Sequence, residues 1–329
     1  MSDAPAPEQR PFVVTPGPHL RVSETTASIM WWVNAALVPT AAWGVYAFGP
    51  PALEVIVFAV AGAVGAEWLA NRLMKQRTTI RDGSAVCTGL LLALTLPPLV
   101  PGWAALIGGA FAILLGKMIF GGLGYNIFNP AMIGRAFMMA SFPVAMTTGF
   151  SIPGAWYSRL EAVTTATPLG IMREHGMAAA VHSIGGPEGW FRLLIGMRPG
   201  SVGEVSVILI TVGAVILLAR GIITLVAPLG VFAGLALMTS FSGMAWLHLL
   251  SGGVWLGAFF MATDYVTSPS TRGGQFVFGV LIGVLTGMIR MWGGYPEGIC
   301  FAILIANAMV PALNMWFRPR RVQAAGAPS

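Results

Sequence analysis

"RDGSAVCTGLLLALTLPP", residues 81–98, decides what kind of chain this is. Past Asp82 the stretch is small or apolar up to two consecutive prolines, Pro97 and Pro98. A helix that crosses a bilayer needs about 20 mostly apolar residues. This run is shorter, and a proline with no backbone N–H stops it. Open backbone groups are not tolerated against lipid, so a short, interrupted apolar segment predicts a broken helix lining a cavity inside the protein.

Longer apolar runs lie on both sides. They predict spans at about 26–48, 52–73, 84–98, 103–119, 126–146, 204–219, 222–240, 245–263, 275–292 and 298–316. Composition agrees. The 329 residues are 56% hydrophobic and 9% charged, against roughly 25% charged in a soluble domain. Mean hydropathy is +0.77. So little charge cannot cover a water-exposed surface, and lipid is the expected solvent. The net charge of +6 does not indicate nucleic acid, because the basic residues stand beside apolar runs, as topology signals do. The two cysteines, Cys87 and Cys300, sit in apolar stretches. They are too few for the usual four ligands of an iron–sulfur cluster and read as buried thiols. Residues 1–25 lack the basic-then-apolar pattern of a cleaved signal and read as a retained tail.

The short basic loops carry Arg72, Lys75, Arg77, Arg81, Arg220 and Arg272. With the N-terminus inside, all of them fall on the inner side, as short loops should. Both tails are then inside, and residues 147–203 form a long outer segment. The halves also look alike. "FGGLGYNIFNPAMIGRAF" (120–137) and "WGGYPEGICFAILIANAM" (292–309) each run from paired glycines through an aromatic turn into an apolar helix. Five spans per half is an odd number, so the second half would run inverted. The expected architecture is an all-α polytopic membrane protein of about ten transmembrane helices, as two inverted five-helix repeats with broken helices. Its parts are a tail (1–25), a first repeat (26–146), the outer segment (147–203), a second repeat (204–316) and a second tail (317–329).

The outer segment holds "EAVTTATPLG" (161–170). Pro168 biases Thr167 to an extended backbone and presents its hydroxyl. No base lies close in sequence; His175 is eight residues on. A threonine-nucleophile hydrolase is therefore not supported. From the residues alone this is either a reachable hydroxyl or a cap before a short helix at 168–180. Trp156, Tyr157 and Trp190 either flank a flat ligand or form an interfacial belt.

The pattern acid-x-x-Thr-x-Ala-Thr resembles the site at which a flavin transferase esterifies FMN phosphate to the last threonine in the RnfD and NqrB family of membrane redox subunits. Four further stretches resemble that family: residues 15–30, 81–98, 121–137 and 293–311. So does "PGSVGEVS" (199–206), and chain length favours the RnfD branch. The resemblance implies covalent FMN on Thr167, with Glu161, Thr164, Thr165 and Ala166 completing the flavinylation motif. Glu161 stands where the family usually has Asp. It also implies a place in an Rnf-type complex in the bacterial inner membrane, coupling electron transfer between ferredoxin and NAD to Na⁺ or H⁺ movement. The implied partners are RnfA, RnfB, RnfC, RnfE and RnfG, with a flavin transferase for maturation.

Ionisable groups inside a membrane are functional hypotheses by default. Glu67 is either an ion-pathway carboxylate or the partner of Asn71 and Arg72 on its own helix. Asp264 is either an ion-entry carboxylate or a loop cap. Asn126 and Asn129 either hydrogen-bond a second, noncovalent flavin such as riboflavin, which the resemblance raises, or cap the fifth span. Arg135 reads as a clamp on carbonyls, and His248 as an interhelical hydrogen-bonder. Beside the redox reading stands one alternative from the architecture alone, a small-solute channel of the urea- or ammonium-transporter kind. A bare membrane anchor is a third.

Overall fold

The computed structural model describes residues 24–156, 165–186, 189–242, 245–295 and 297–318. Every regular element among them is helical. Helices α1 (Thr26–Phe48) and α2 (Pro50–Leu73) meet at Gly49. They are followed by α3 (Ser84–Thr95), α4 (Gly102–Gly116), α5 (Pro130–Ser141) and the short α6 (Pro143–Thr148). Beyond Thr165 come α7 (Pro168–Ser183) and α8 (Trp190–Ile195). The rest comprises α9 (Val207–Ala219), α10 (Val226–Thr239), α11 (Ala245–Leu250), α12 (Val254–Leu256, continued by a π-turn at Gly257–Met261), α13 (Arg272–Trp292) and α14 (Ile299–Trp316).

Four helical stretches among the described residues are long and apolar enough to cross a membrane: Pro50–Leu73, Gly102–Phe120, Arg272–Trp292 and Ile299–Trp316. Helices α3, α9 and α10 are apolar but shorter. Large apolar side chains such as Leu229 and Leu237 on α10, or Leu73 on α2, face outward. That is the surface a lipid-facing helix presents.

Glycine sets the closest packing. A Cβ on Gly62 of α2 would stand 2.1 Å from the Leu106 carbonyl oxygen of α4, and one on Gly109 of α4 would stand 2.2 Å from that of Ala59. Helices α10 and α13 meet the same way: a Cβ on Gly283 would lie 2.2 Å from the Val231 oxygen. Small residues let two backbones touch, which substitutes for a hydrophobic driving force that lipid does not provide.

The break foreseen at Pro97-Pro98 is present. Helix α3 ends at Leu96, which is extended (φ −86°, ψ 149°), and nearly every residue of α3 is buried. The chain returns from afar to satisfy its end: Val202 N donates to Leu96 O (3.0 Å) and Gly203 N to Leu94 O (2.8 Å). Several spans begin later than expected, the sixth at Val207 and the seventh at Val226, and two differ in kind. The fifth begins at Pro130 rather than 126, because Asn129 caps it and the proline occupies the first helical position. Pro143 then divides it from α6. The eighth is not one helix. Gly252 and Gly253, both at φ +68°, separate α11 from α12, a conformation L side chains rarely adopt.

Candidate functional site

Thr167 is the N-cap of α7. Its backbone is extended (φ −67°, ψ 157°), Pro168 fills the first helical position, and Oγ1 accepts a hydrogen bond from Gly170 N at 3.1 Å. The cap reading is therefore realised, and the helix runs on to Ser183, past the expected 180, with a kink at Gly176. Thr167 itself is buried and does not line the larger cavity next to it, although its neighbours do. Thr165, Ala166 and Pro168 line a cavity of about 380 Å³ together with Ile152, Ile171, Arg192 and Arg198. That is within the roughly 300–1,000 Å³ of small-molecule sites. The cavity has two guanidiniums and no carboxylate among its described lining residues. Such a lining suits an anion joined to an apolar body. Glu161, Thr164 and Tyr157 lie outside the described residues. Trp156 packs on Gly49 and donates to Tyr46 O (3.2 Å), and Trp190 sits edge-on to Phe191, so neither ring lines the cavity.

Behind Thr167 is a narrow cleft shared with Arg198, Glu204 and Glu297. Arg135 of α5 reaches into this region and pairs with both carboxylates, with Glu204 at 2.8 Å and with Glu297. These partners replace the carbonyls expected from sequence. The carbonyl clamp exists, but it is Arg290 of α13, which donates to the oxygens of Glu297, His248, Ser251 and Gly252. Arg198 donates to Glu204 O and Leu250 O, and its Nε has no partner among the described residues. Burial pushes the Arg198 guanidinium down to about 10, so it stays charged at neutral pH. His248 is buried, and neither ring nitrogen has a hydrogen-bond partner among the described residues, which corrects the expected interhelical bond.

A second cavity, about 80 Å³, brings together Asn126, Asn129, Asp264, Lys117 and Ser84. Ile29, Met30 and Val33, near the start of α1, line it. The chain after α6 meets the other end of α1, where Gly154 N donates to Ala47 O. The two cavities thus lie at opposite ends of a 23-residue helix. Asn129 Oδ1 caps α5, while its backbone N–H donates to Asn307 Oδ1 (3.2 Å). Asn307 in turn donates to Thr267 O. Asn126 Nδ2 donates to Phe128 O, and its Oδ1 has no partner among the described residues. Asp264 accepts from Val266 N and Thr267 Oγ1, so it caps its loop and lines the cavity at once. Glu67 is fully buried, and its partner is Lys117 of the α4 end (2.8 Å), not Asn71 or Arg72. Lys117 also donates to Ser84 Oγ, and Thr79 Oγ1 to Glu67.

Comparison with known proteins places the chain in a family. Residues 13–323 match the model of the NQR2, RnfD, RnfE family. The chain belongs to that family. It is 42% identical to the D component of the proton-translocating ferredoxin:NAD(+) oxidoreductase complex of Clostridium ljungdahlii, covering 94% of this chain and 95% of the relative. It is 39% identical to the D component of the Na(+)-translocating ferredoxin:NAD(+) oxidoreductase complex of Acetobacterium woodii, covering 94% of each chain. It is also 39% identical to the D component of the ion-translocating oxidoreductase complex of Stutzerimonas stutzeri, covering 89% of this chain and 90% of the relative.

In this member of the family, the residues singled out from sequence fall into two groups. Thr165, Ala166 and Thr167 gather at one end. Asn126, Asn129 and Asp264 gather at the other, with Glu67 one contact behind through Lys117. Sequence reading missed Glu204, Glu297 and Asn307 as site residues. All three lie in stretches that resemble the family, 199–206 and 293–311, but a polar residue in such a stretch does not name its partner.

Proposed function

We propose that this chain is the flavin-carrying RnfD component of an Rnf-type complex, with FMN esterified to Thr167. The observation that carries the reading is that Thr167 shares a cleft with Arg198, while its neighbours Thr165, Ala166 and Pro168 line the adjoining cavity with Arg198, Arg192 and apolar side chains. Arg198 and Arg192 would hold the phosphate, and Ile152, Ile171 and Ile184 would flank the ring. FMN bound there would supply the electron transfer. The chain itself would fix the attachment point and set the local charge. Curated relatives are named as members of ferredoxin:NAD(+) oxidoreductase complexes, which supports coupling of that electron transfer to ion movement. The partners would be RnfA, RnfB, RnfC, RnfE and RnfG, with a flavin transferase for maturation. Relatives of near-equal identity are named for protons and for sodium, so the ion is a matter for uptake measurements.

The basic short loops support a multi-pass protein of the bacterial inner membrane with cytoplasmic tails and Thr167 outside. The matching glycine contacts of α2 with α4 and of α10 with α13 support a ten-helix, two-repeat plan. At the inner end, the unpartnered Asn126 Oδ1 beside Asn129 is an acceptor that a second, noncovalent flavin such as riboflavin could use, but the cavity of about 80 Å³ is too small to hold its ring as it stands; Asp264 and Glu67 stand as ion-pathway groups.

The test is direct. Protein co-expressed with a flavin transferase is run on a denaturing gel under ultraviolet light. Wild type fluoresces and Thr167→Val is dark. A dark wild type, or a Thr167→Val band of equal brightness, refutes the assignment.

A further inference from the structure

Five buried charged groups crowd the space behind Thr167. Arg135, Arg198, Arg290, Glu204 and Glu297 are each 8% exposed or less. Three cations therefore face two anions, and one positive charge is left over among the described residues. Its location can be read from the contacts. Arg135 is spent on both carboxylates, and Arg290 is wrapped by four carbonyls, one of them from Glu297. Arg198 touches only two carbonyls, keeps an open Nε, and lines both the cleft at Thr167 and the 380 Å³ cavity. Buried charges are ordinarily paired, because desolvation costs several kcal/mol per ion.

We infer that Arg198 is the binding residue for the phosphodiester on Thr167, and that the cluster is built with one cation too many so that this diester closes its charge. This rests on the flavin assignment above. A phosphate monoester carries about −1.5 to −2 at neutral pH because of its second ionisation near pH 6. A diester has no second proton to lose and carries one negative charge. One is the charge the cluster lacks. The attached form is thus electrically complete, and the unattached form holds an uncompensated buried guanidinium.

The experiment compares full-length protein made with and without the flavin transferase, each as wild type and as Arg198→Gln. Thermal unfolding in detergent and in-gel fluorescence are read for all four. Arg198→Gln should lower the melting temperature of the flavinylated protein by several degrees. In the unflavinylated protein it should leave that temperature unchanged or raise it. The flavin midpoint potential should also move to more negative values, because a cation that favours added electrons has gone. Arg198→Lys, which keeps the charge, should retain most of the wild-type potential. Equal melting shifts with and without flavin, beside a bright wild-type band, overturn this inference alone and make Arg198 a merely structural group. A dark wild-type band overturns the flavin assignment and this inference together. If Arg198→Gln folds but is not flavinylated, Arg198→Lys decides: a bright band with the wild-type potential supports the role, and a dark or shifted one overturns it.

Discussion

Arg135→Met removes one side chain from the centre of the buried cluster and leaves Glu204 and Glu297 facing each other without their shared cation. Breaking a buried pair by deleting one partner costs about 3–5 kcal/mol, because the remaining charge keeps its desolvation penalty. Arg135 is 3% exposed and serves two carboxylates, so the full cost applies. In a chain of this size about 1 kcal/mol corresponds to roughly 2 °C, which gives a melting shift of about 6–10 °C. The protein carries its own reporters. Cys87 and Cys300 are both free and buried, so a thiol-reactive dye becomes fluorescent only as the fold opens. Adding Glu204→Gln alone to Arg135→Met removes a carboxylate whose only charged partner was Arg135 and restores the cluster's original excess of one positive charge, so it should recover part of the loss. A shift below about 2 °C, or no recovery in the double variant, would refute the idea that this charge cluster ties α5 to the second half of the chain.

Three further outcomes are expected. Lys117→Met should destabilise by about 3–5 kcal/mol through the orphaned Glu67, and adding Glu67→Gln should restore part of it; the same dye assay reads both. Gly283→Ala would drive a methyl to 2.2 Å from the Val231 oxygen, so α10 and α13 must part, at about 1–3 kcal/mol, which thermal unfolding in detergent reads as a lower melting temperature. Asp264→Ala should impair ion-coupled activity in vesicles while gel fluorescence at Thr167 persists; unchanged ion dependence would remove Asp264 from the pathway.

What the sequence made legible was local. Pro97-Pro98 foretold the end of α3, and Thr167-Pro168 foretold an extended residue before a helix. Each depends on one residue acting on its neighbour. The Gly252-Gly253 break was equally local, but it lay inside an apolar run that looked continuous. The charge pairs were different. Arg135 meets Glu204 and Glu297 at separations of 69 and 162 residues, and Lys117 meets Glu67 at 50. An arginine in an apolar helix announces that it needs an anion, and nothing in its own surroundings says which. The expectation that Arg135 clamps carbonyls failed for that reason, and the residue that does so, Arg290, is 42 residues from one of its carbonyls.

Helix α3 has a mechanical consequence. Its first turns, at Ser84, Cys87 and Thr88, form part of the wall of one cavity. Its last carbonyls are hydrogen-bonded to Val202 and Gly203, in the loop that runs from Arg198 to Glu204 beside the other. Twelve residues at 1.5 Å each make a strut of about 18 Å. It is buried nearly throughout and tethered at both ends. A strut of that kind has little slack of its own, so an axial displacement at one chamber would be passed along the helix to the hydrogen-bonded 198–204 loop at the other.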